Sequence, residues 1–242
     1  MTLPRSRIPV LLLAAAALAA RPSLGAAQAV EAWLASSDKA AAYASVTAEI
    51  LALSDRLRAG GIPDRPLADR LAEGAGKRVD PLKLAQALVE ETIRIEEAAA
   101  ALRRARLFPE SPSEAATALA GAGLLLRSGL GLGELELALA AVEPLPGGAA
   151  PRAARALTAL AAVKAVDARF PLGADERTAL CVALAKSRIP KERFDSLVSV
   201  FAKGRVAGLT APRLASIATA TIESGGSFDA IEKEIERRAR KP

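Results

Sequence analysis

Histidine is absent from the 242-residue chain. It is the commonest general base in enzymes, the usual activator of serine and cysteine nucleophiles, and the commonest metal ligand. Without it, the Ser-His and Cys-His catalytic arrangements cannot be built. We therefore predict no catalytic, cofactor-binding or metal-binding residues and no cofactor, which favours a non-enzymatic protein.

Cysteine is also scarce, because Cys181 is the only one and no disulfide can form within one chain. Its neighbours in the segment ALCVAL are apolar. Such surroundings predict a buried, unreactive thiol on a helix. A reactive thiol, or one paired with another chain, is the alternative.

Aromatic residues make up only 3% of the chain, whereas apolar residues as a whole make up 51% and charged residues 25%. Alanine and leucine must therefore form the core, and both are strong helix formers. A β-protein would need more β-branched and aromatic residues on its sheets. The composition predicts an all-α fold of about ten short helices, stacked as irregular helical hairpins with a solenoid-like or irregular-bundle character.

Basic residues exceed acidic ones by six, but three of them, Arg5, Arg7 and Arg21, fall within the first 29 residues. Without these three the net charge is only +3. A nucleic-acid-binding protein concentrates positive charge to neutralise phosphates, and often stacks bases on aromatic side chains. We predict that nucleic acid is not a partner.

The first 29 residues have the three parts of an export signal. Arg5 and Arg7 form a basic start, residues 10–20 are uninterruptedly apolar, and Ala27-Gln28-Ala29 is a small-x-small cleavage site. The apolar run is shorter than the roughly 20 residues of a transmembrane helix. We predict a cleavable signal peptide over 1–29, no integral membrane segment after cleavage, and a periplasmic or extracellular protein. A buried N-terminal helix is the alternative.

Proline and glycine punctuate the remainder of the chain. Asp80-Pro81 is typical of a helix start, and Ser111-Pro112-Ser113-Glu114 has the pattern of a capping box. The segment EPLPGG over 143–148 cannot continue a helix. We predict a helical half over 30–142, a Pro/Gly loop or hinge over 143–148 and a helical half over 149–242, the halves being two units or one continuous domain.

The helix that follows Asp80 has two apolar stripes on nearly opposite sides. Such a helix is expected to be covered on both sides, as in a stack of helical hairpins. A third, polar arc is expected to face solvent. The first stripe is Leu84, Leu88, Ile95, Ala99 and Leu102; the second is Leu82, Val89, Ile93 and Ala100; the polar arc is Lys83, Gln86, Glu90, Arg94, Glu97 and Arg104.

A weak internal repeat supports stacking. Gly61-Ile62-Pro63 precedes Gly74 and the segment DPLKL over 80–84, and Arg188-Ile189-Pro190 precedes Gly204 and the segment TAPRL over 210–214. The pattern predicts a repeated unit of a proline-opened helix, a glycine-ended turn and a capped helix.

Two carboxylates can cleave a glycoside without histidine. Glu90, Glu91, Glu96 and Glu97 crowd one helix, so a histidine-free, carboxylate-based hydrolase is one alternative function. Carbohydrate clefts are usually lined by aromatic side chains, of which this chain has few.

By exclusion, the leading hypothesis is an exported helical interaction or scaffold protein of the cell envelope that binds an unidentified protein partner. A lipid-binding helical module is a further alternative, since fold class does not determine function. The last helix has Phe228, Ile231 and Ile235 on one side and a basic end. We interpret it as a capping helix, with peripheral contact to a membrane or lipid as the other option.

We predict that protein recovered from outside the cytoplasm begins at Val30, because the cleavage site ends at Ala29. Intact-mass measurement tests this directly. A retained Met1 would contradict both the cleavage and the export.

Overall fold

The computed structural model describes residues 28–239, and every regular element within that range is a helix. Eleven α-helices and two short 3₁₀ helices account for the ordered elements, which confirms the all-α prediction. All but the last two residues of the expected signal peptide lie outside the described range. The α-helices are α1 (Ala29–Ser36), α2 (Thr47–Ala59), α3 (Arg65–Gly76), α4 (Pro81–Arg104), α5 (Pro112–Arg127), α6 (Leu132–Val142), α7 (Ala149–Asp167), α8 (Ala174–Lys186), α9 (Ser196–Val206), α10 (Ala211–Glu223) and α11 (Phe228–Ala239); the 3₁₀ helices are Ala40–Val46 and Lys191–Arg193.

The helices form two layers. Each odd-numbered helix packs against the next odd-numbered helix, and each even-numbered helix against the next even-numbered one. Consecutive helices such as α3 and α4, α6 and α7, or α7 and α8 join the layers. Among the α-helices of residues 28–239, substantial packing does not extend beyond the second neighbour, which is the contact pattern of an α-solenoid.

Six helices, α2, α3, α4, α5, α9 and α10, end in the same way. A residue in the left-handed region, such as Arg78 (φ 55°) or Gly208 (φ 84°), follows the last turn. The next residue then donates its N–H to the carbonyl five positions earlier, as Val79 does to Gly74 at 3.0 Å and Leu209 to Gly204 at 3.1 Å. This is a Schellman ending, and it turns the chain sharply into the following helix.

The two sequence units have matching structures, but their glycines do not end the helices as predicted. Gly74 lies inside α3, and a Cβ there would overlap with the Leu84 side chain of α4. Gly204 lies inside α9, and a Cβ there would overlap with Leu214 of α10. In both units the glycine therefore lets a leucine of the next helix pack against the backbone.

One prediction about α4 is wrong, because only one of its two apolar stripes is covered. Leu84, Leu88 and Ile95 are fully buried, whereas Leu82 is 71% exposed, Val89 43% and Ile93 44%. In the two-layer stack, α4 packs on α3 and α5 of the odd-numbered layer and lies between α2 and α6 in its own layer. Because the second stripe lies nearly opposite the buried one, it faces away from the odd-numbered layer and remains in contact with solvent.

The start of α5 was predicted correctly, but the capping box was not. The helix begins at Pro112, yet the side chain of Ser111 accepts no hydrogen bond. By contrast, Asp80 caps α4 as predicted, accepting from Leu82 N at 3.1 Å and Lys83 N at 3.2 Å.

Residues 143–148 form the loop between α6 and α7, which pack directly against each other. Arg152 of α7 donates a hydrogen bond to the Glu143 carbonyl and so ties the two ends of the loop together. Apolar residues from both sides of the loop belong to the same buried core.

The chain ends, within the described residues, on α11. Phe228, Ile231 and Ile235 are buried, as the capping-helix interpretation requires. Hydrogen bonds from Arg237 and Arg238 lower the pKa of Glu234 to about 2. Two of the cations at this basic end are therefore already paired.

None of the helices in the described part of the chain has both the length and the apolar character needed to cross a bilayer.

We expect Leu88→Ala to lower the free energy of unfolding by about 2–5 kcal/mol, the usual range for truncating a buried leucine. Ile93→Ala should lower it by no more than about 1 kcal/mol, because Ile93 is already half in water and alanine favours the helix. Denaturant unfolding of the two variants measures the difference. Equal losses would show that the second stripe is covered after all.

Candidate interaction surface

Three of the four carboxylates considered for catalysis, Glu90, Glu91 and Glu96, form ion pairs. Glu91 is buried, and its Oε2 lies 3.3 Å from Arg127 Nη1 of α5 and 3.5 Å from Arg94 Nη1. A buried carboxylate needs such partners to offset its loss of hydration. Gly123 allows this approach, because a Cβ there would lie 3.2 Å from Glu91 Oε1. Glu91 thus joins α4 to α5.

The neighbouring glutamates lie on the protein surface. Glu96 accepts a hydrogen bond from Arg56 Nε of α2 at 2.6 Å, and Glu90 accepts one from Arg94 at 3.1 Å. Glu97 is exposed. Ion pairs between exposed side chains such as these contribute little to stability, because water and salt screen them. These four glutamates do not form a cleft with two buried carboxylates, which the hydrolase alternative requires.

Cys181 faces a small cavity of about 110 Å³ between α6, α7 and α8. Arg177 is held beside the cavity: it donates to Glu134 Oε1 at 3.1 Å and to the Leu172 carbonyl at 3.0 Å. Ligand sites usually measure about 300–1,000 Å³. The cavity is therefore better explained by imperfect helix packing than by a substrate.

Two larger grooves lie on the odd-numbered layer. One, of about 600 Å³, runs between α3 and α5, and the other, of about 540 Å³, between α5 and α7. Ser113 and Thr117 line both, and most other wall residues are alanine, glycine or short polar side chains. Neither groove is a closed apolar tunnel, the feature expected of the lipid-binding alternative. Their small walls offer little apolar area to a partner.

Three of the six large hydrophobic side chains that are exposed in residues 28–239 lie on the uncovered side of α4. On this side of α4, one row of residues follows the helix axis at alternating intervals of four and three positions. This is the spacing with which one helix packs along another. We call this row the α4 seam; it consists of Leu82, Gln86, Val89, Ile93, Glu96 and Ala100.

The two flanks of the α4 seam differ. On one side lie Ala85, Thr92 and Ala99, which are buried against the core. On the other side lie Lys83, Glu90 and Glu97, which are exposed. Along the open stretch of the seam, the charged residues of α4 itself therefore lie on one flank, and two of these three are acidic.

Neighbouring helices limit the seam at its C-terminal end. Arg56 of α2 holds Glu96, and the guanidinium of Arg103 donates to the Gly60 carbonyl at 2.8 Å. The apolar stretch left open runs from Leu82 to Ile93, about 16 Å along the helix axis. Sequence periodicity identifies this stripe, but which of two opposite stripes faces the other layer depends on the packing of helices that are distant in the chain.

We expect Cys181 to resist alkylation in the folded protein. Burial, together with the negative charge of Glu134, raises the pKa of its thiol to about 12, so little reactive thiolate forms near pH 8. Labelling with iodoacetamide should be at least about a hundredfold slower than in denaturant. Equal rates in the native and denatured states would contradict the buried assignment.

Comparison of the chain with protein-family models, with curated proteins and with solved structures finds no match in any of the three. Function must therefore be inferred from the residues that the fold presents.

Proposed function

We propose that this protein is an exported helical scaffold of the cell envelope that binds a partner protein through the α4 seam. The observation that carries the proposal is the exposure of Leu82, Val89 and Ile93 in one row on a helix whose opposite stripe is fully buried. Single exposed aliphatic residues are common on protein surfaces, whereas an aligned set is typical of a contact site.

The proposed partner element is an amphipathic helix. The four-three spacing of the seam matches the packing of two helices at a shallow angle, with an apolar row on each. Because Glu90 and Glu97 lie on the open flank, basic side chains on one edge of the partner helix would complement the seam. Complete burial of an exposed aliphatic side chain contributes about 1.5–3 kcal/mol. Leu82 has most of this to gain and the half-buried Val89 and Ile93 about half of it, so contacts at the charged flank complete the proposed interface.

Export is supported by the three-part signal in residues 1–29. The described residues carry neither a second buried carboxylate beside Glu91 nor a group of metal-binding side chains that would favour an enzyme instead. A solenoid also suits a scaffold, because its extended surface is open to partners along its length.

The proposal can be tested by photo-crosslinking in the native cell, with a photoreactive residue in place of Val89. We expect one protein adduct, whose crosslinked peptide lies in an amphipathic helix. The matched control is Leu124 on α5, which is 58% exposed but lies on the other layer. The control position should give no comparable adduct.

Charge substitutions sharpen the test. Leu82→Glu and Ile93→Glu should each weaken the complex at least about tenfold, since each places a carboxylate against an apolar row, while Leu124→Glu should leave affinity unchanged. Leu82→Glu and Leu124→Glu should change stability by about 0.5 kcal/mol or less, as surface substitutions do, and half-buried Ile93→Glu by about 1 kcal/mol. An adduct of twice the protein's own mass would replace the scaffold proposal with self-association, and a lipid adduct would replace it with the lipid-binding alternative.

A further inference from the structure

The corner where α1 meets α2 and α3 contains a buried carboxylate. Asp64 immediately precedes α3, and its side chain is completely buried. Its Oδ1 accepts from Ala29 N at 3.0 Å, and its Oδ2 accepts from Val30 N at 3.2 Å and from Ser54 Oγ at 2.7 Å. Asp64 thus binds the backbone on both sides of the predicted cleavage point, although it is more than 30 residues away in sequence.

Within residues 28–239, each group that donates a hydrogen bond to the Asp64 carboxylate is neutral. A carboxylate taken out of water is stabilised much better by a cation than by neutral donors alone. Glu31, the next residue along α1, adds a second negative charge. Its Oε1 pairs with Arg58, while its Oε2 is buried without a donor from the described residues. The corner therefore has an excess of negative charge.

We propose that Asp64 and Ser54 form a receptor for the α-ammonium group that cleavage after Ala29 creates on Val30. Water hydrolyses the Ala29–Val30 peptide bond during export, leaving a carboxylate on Ala29 and an ammonium group on Val30. This inference rests on the export and cleavage proposed above.

The geometry needed for the ion pair is already present. The nitrogen that becomes the ammonium lies 3.2 Å from Asp64 Oδ2. An ammonium group has three N–H donors where the amide has one. It can therefore keep its bond to Oδ2 and replace the bond to Oδ1 that is lost with Ala29. The Val30 side chain is completely buried and fixes the position of the new terminus.

The burial of Val30 also determines whether cleavage or the docking of α1 comes first. A protease cannot reach a peptide bond that lies in a helix with its side chain inside the core, so cleavage must precede the docking of α1. The uncleaved chain folds with an amide at this position, and the cleaved chain with a cation. The ion pair therefore makes the fold of the exported form more stable than that of its precursor.

The test compares two chains that are identical from Val30 to Pro242. One is released from a fusion so that Val30 carries a free α-amine, and the other retains residues 25–29 before Val30. We expect the first to melt several degrees higher. We also expect its α-amine to react more slowly than a free peptide amine with an amine-selective reagent.

Asp64→Asn in both chains separates the ion pair from ordinary hydrogen bonding. The substitution should remove the difference in melting temperature and free the Val30 amine to react. Asp69→Asn is the matched control, because Asp69 is exposed on the same helix and pairs with Arg65 at 2.8 Å. It should preserve the difference between the two chains.

Equal melting temperatures of the two wild-type chains, or an equal loss from Asp64→Asn in both, would overturn the inference. If Asp64→Asn fails to fold, the melting temperatures and amine reactivity of the two wild-type chains decide alone. The mass of the exported protein is a separate measurement. A first residue other than Val30 would overturn the receptor while leaving export intact, and a retained signal would overturn both.

Discussion

Close approach between each helix and its second neighbour is the contact on which the rest of the structure depends. Because the chain returns to the same layer every second helix, each inner helix must fit against several others. α7 is the clearest case, since it packs on α5, α6, α8 and α9. Small buried side chains allow this crowding, and those of α7 include Ala153, Ala156, Ala159 and Ala162. The scarcity of aromatic residues is the compositional counterpart of this tight packing.

Local features of the fold could be predicted from the sequence, because they depend on residues that are close together in the chain. The Asp80 cap, the start of α5 and the buried side of α11 each follow from a few adjacent side chains. Contacts between distant segments could not be predicted in this way. Asp64 has the appearance of an ordinary residue before a helix, and only the fold brings it to the backbone of Ala29 and Val30.

The α4 seam shows what sequence periodicity cannot predict, namely whether an apolar stripe is buried in the fold. The pattern correctly identified two apolar stripes, but it cannot tell whether another helix will cover each of them. In a two-layer stack a helix buries one side against the opposite layer, and the side facing away stays in contact with solvent, as the exposure of Leu82, Val89 and Ile93 shows. An apolar row that faces away from the opposite layer is therefore a better indication of an interaction surface than an apolar row alone.

In a stack whose helices contact only near neighbours, the stability of the whole depends strongly on the first and last helices. Fraying at an end exposes the next helix in turn. α11 protects one end with Phe228, Ile231 and Ile235. α1 has only eight residues and a single fully buried side chain, Val30, so packing alone holds it weakly. Its polar attachments to Asp64 and Arg58 then matter most. Any stabilisation of α1 passes through its contacts with α2 and α3 to α4, the helix that carries the seam.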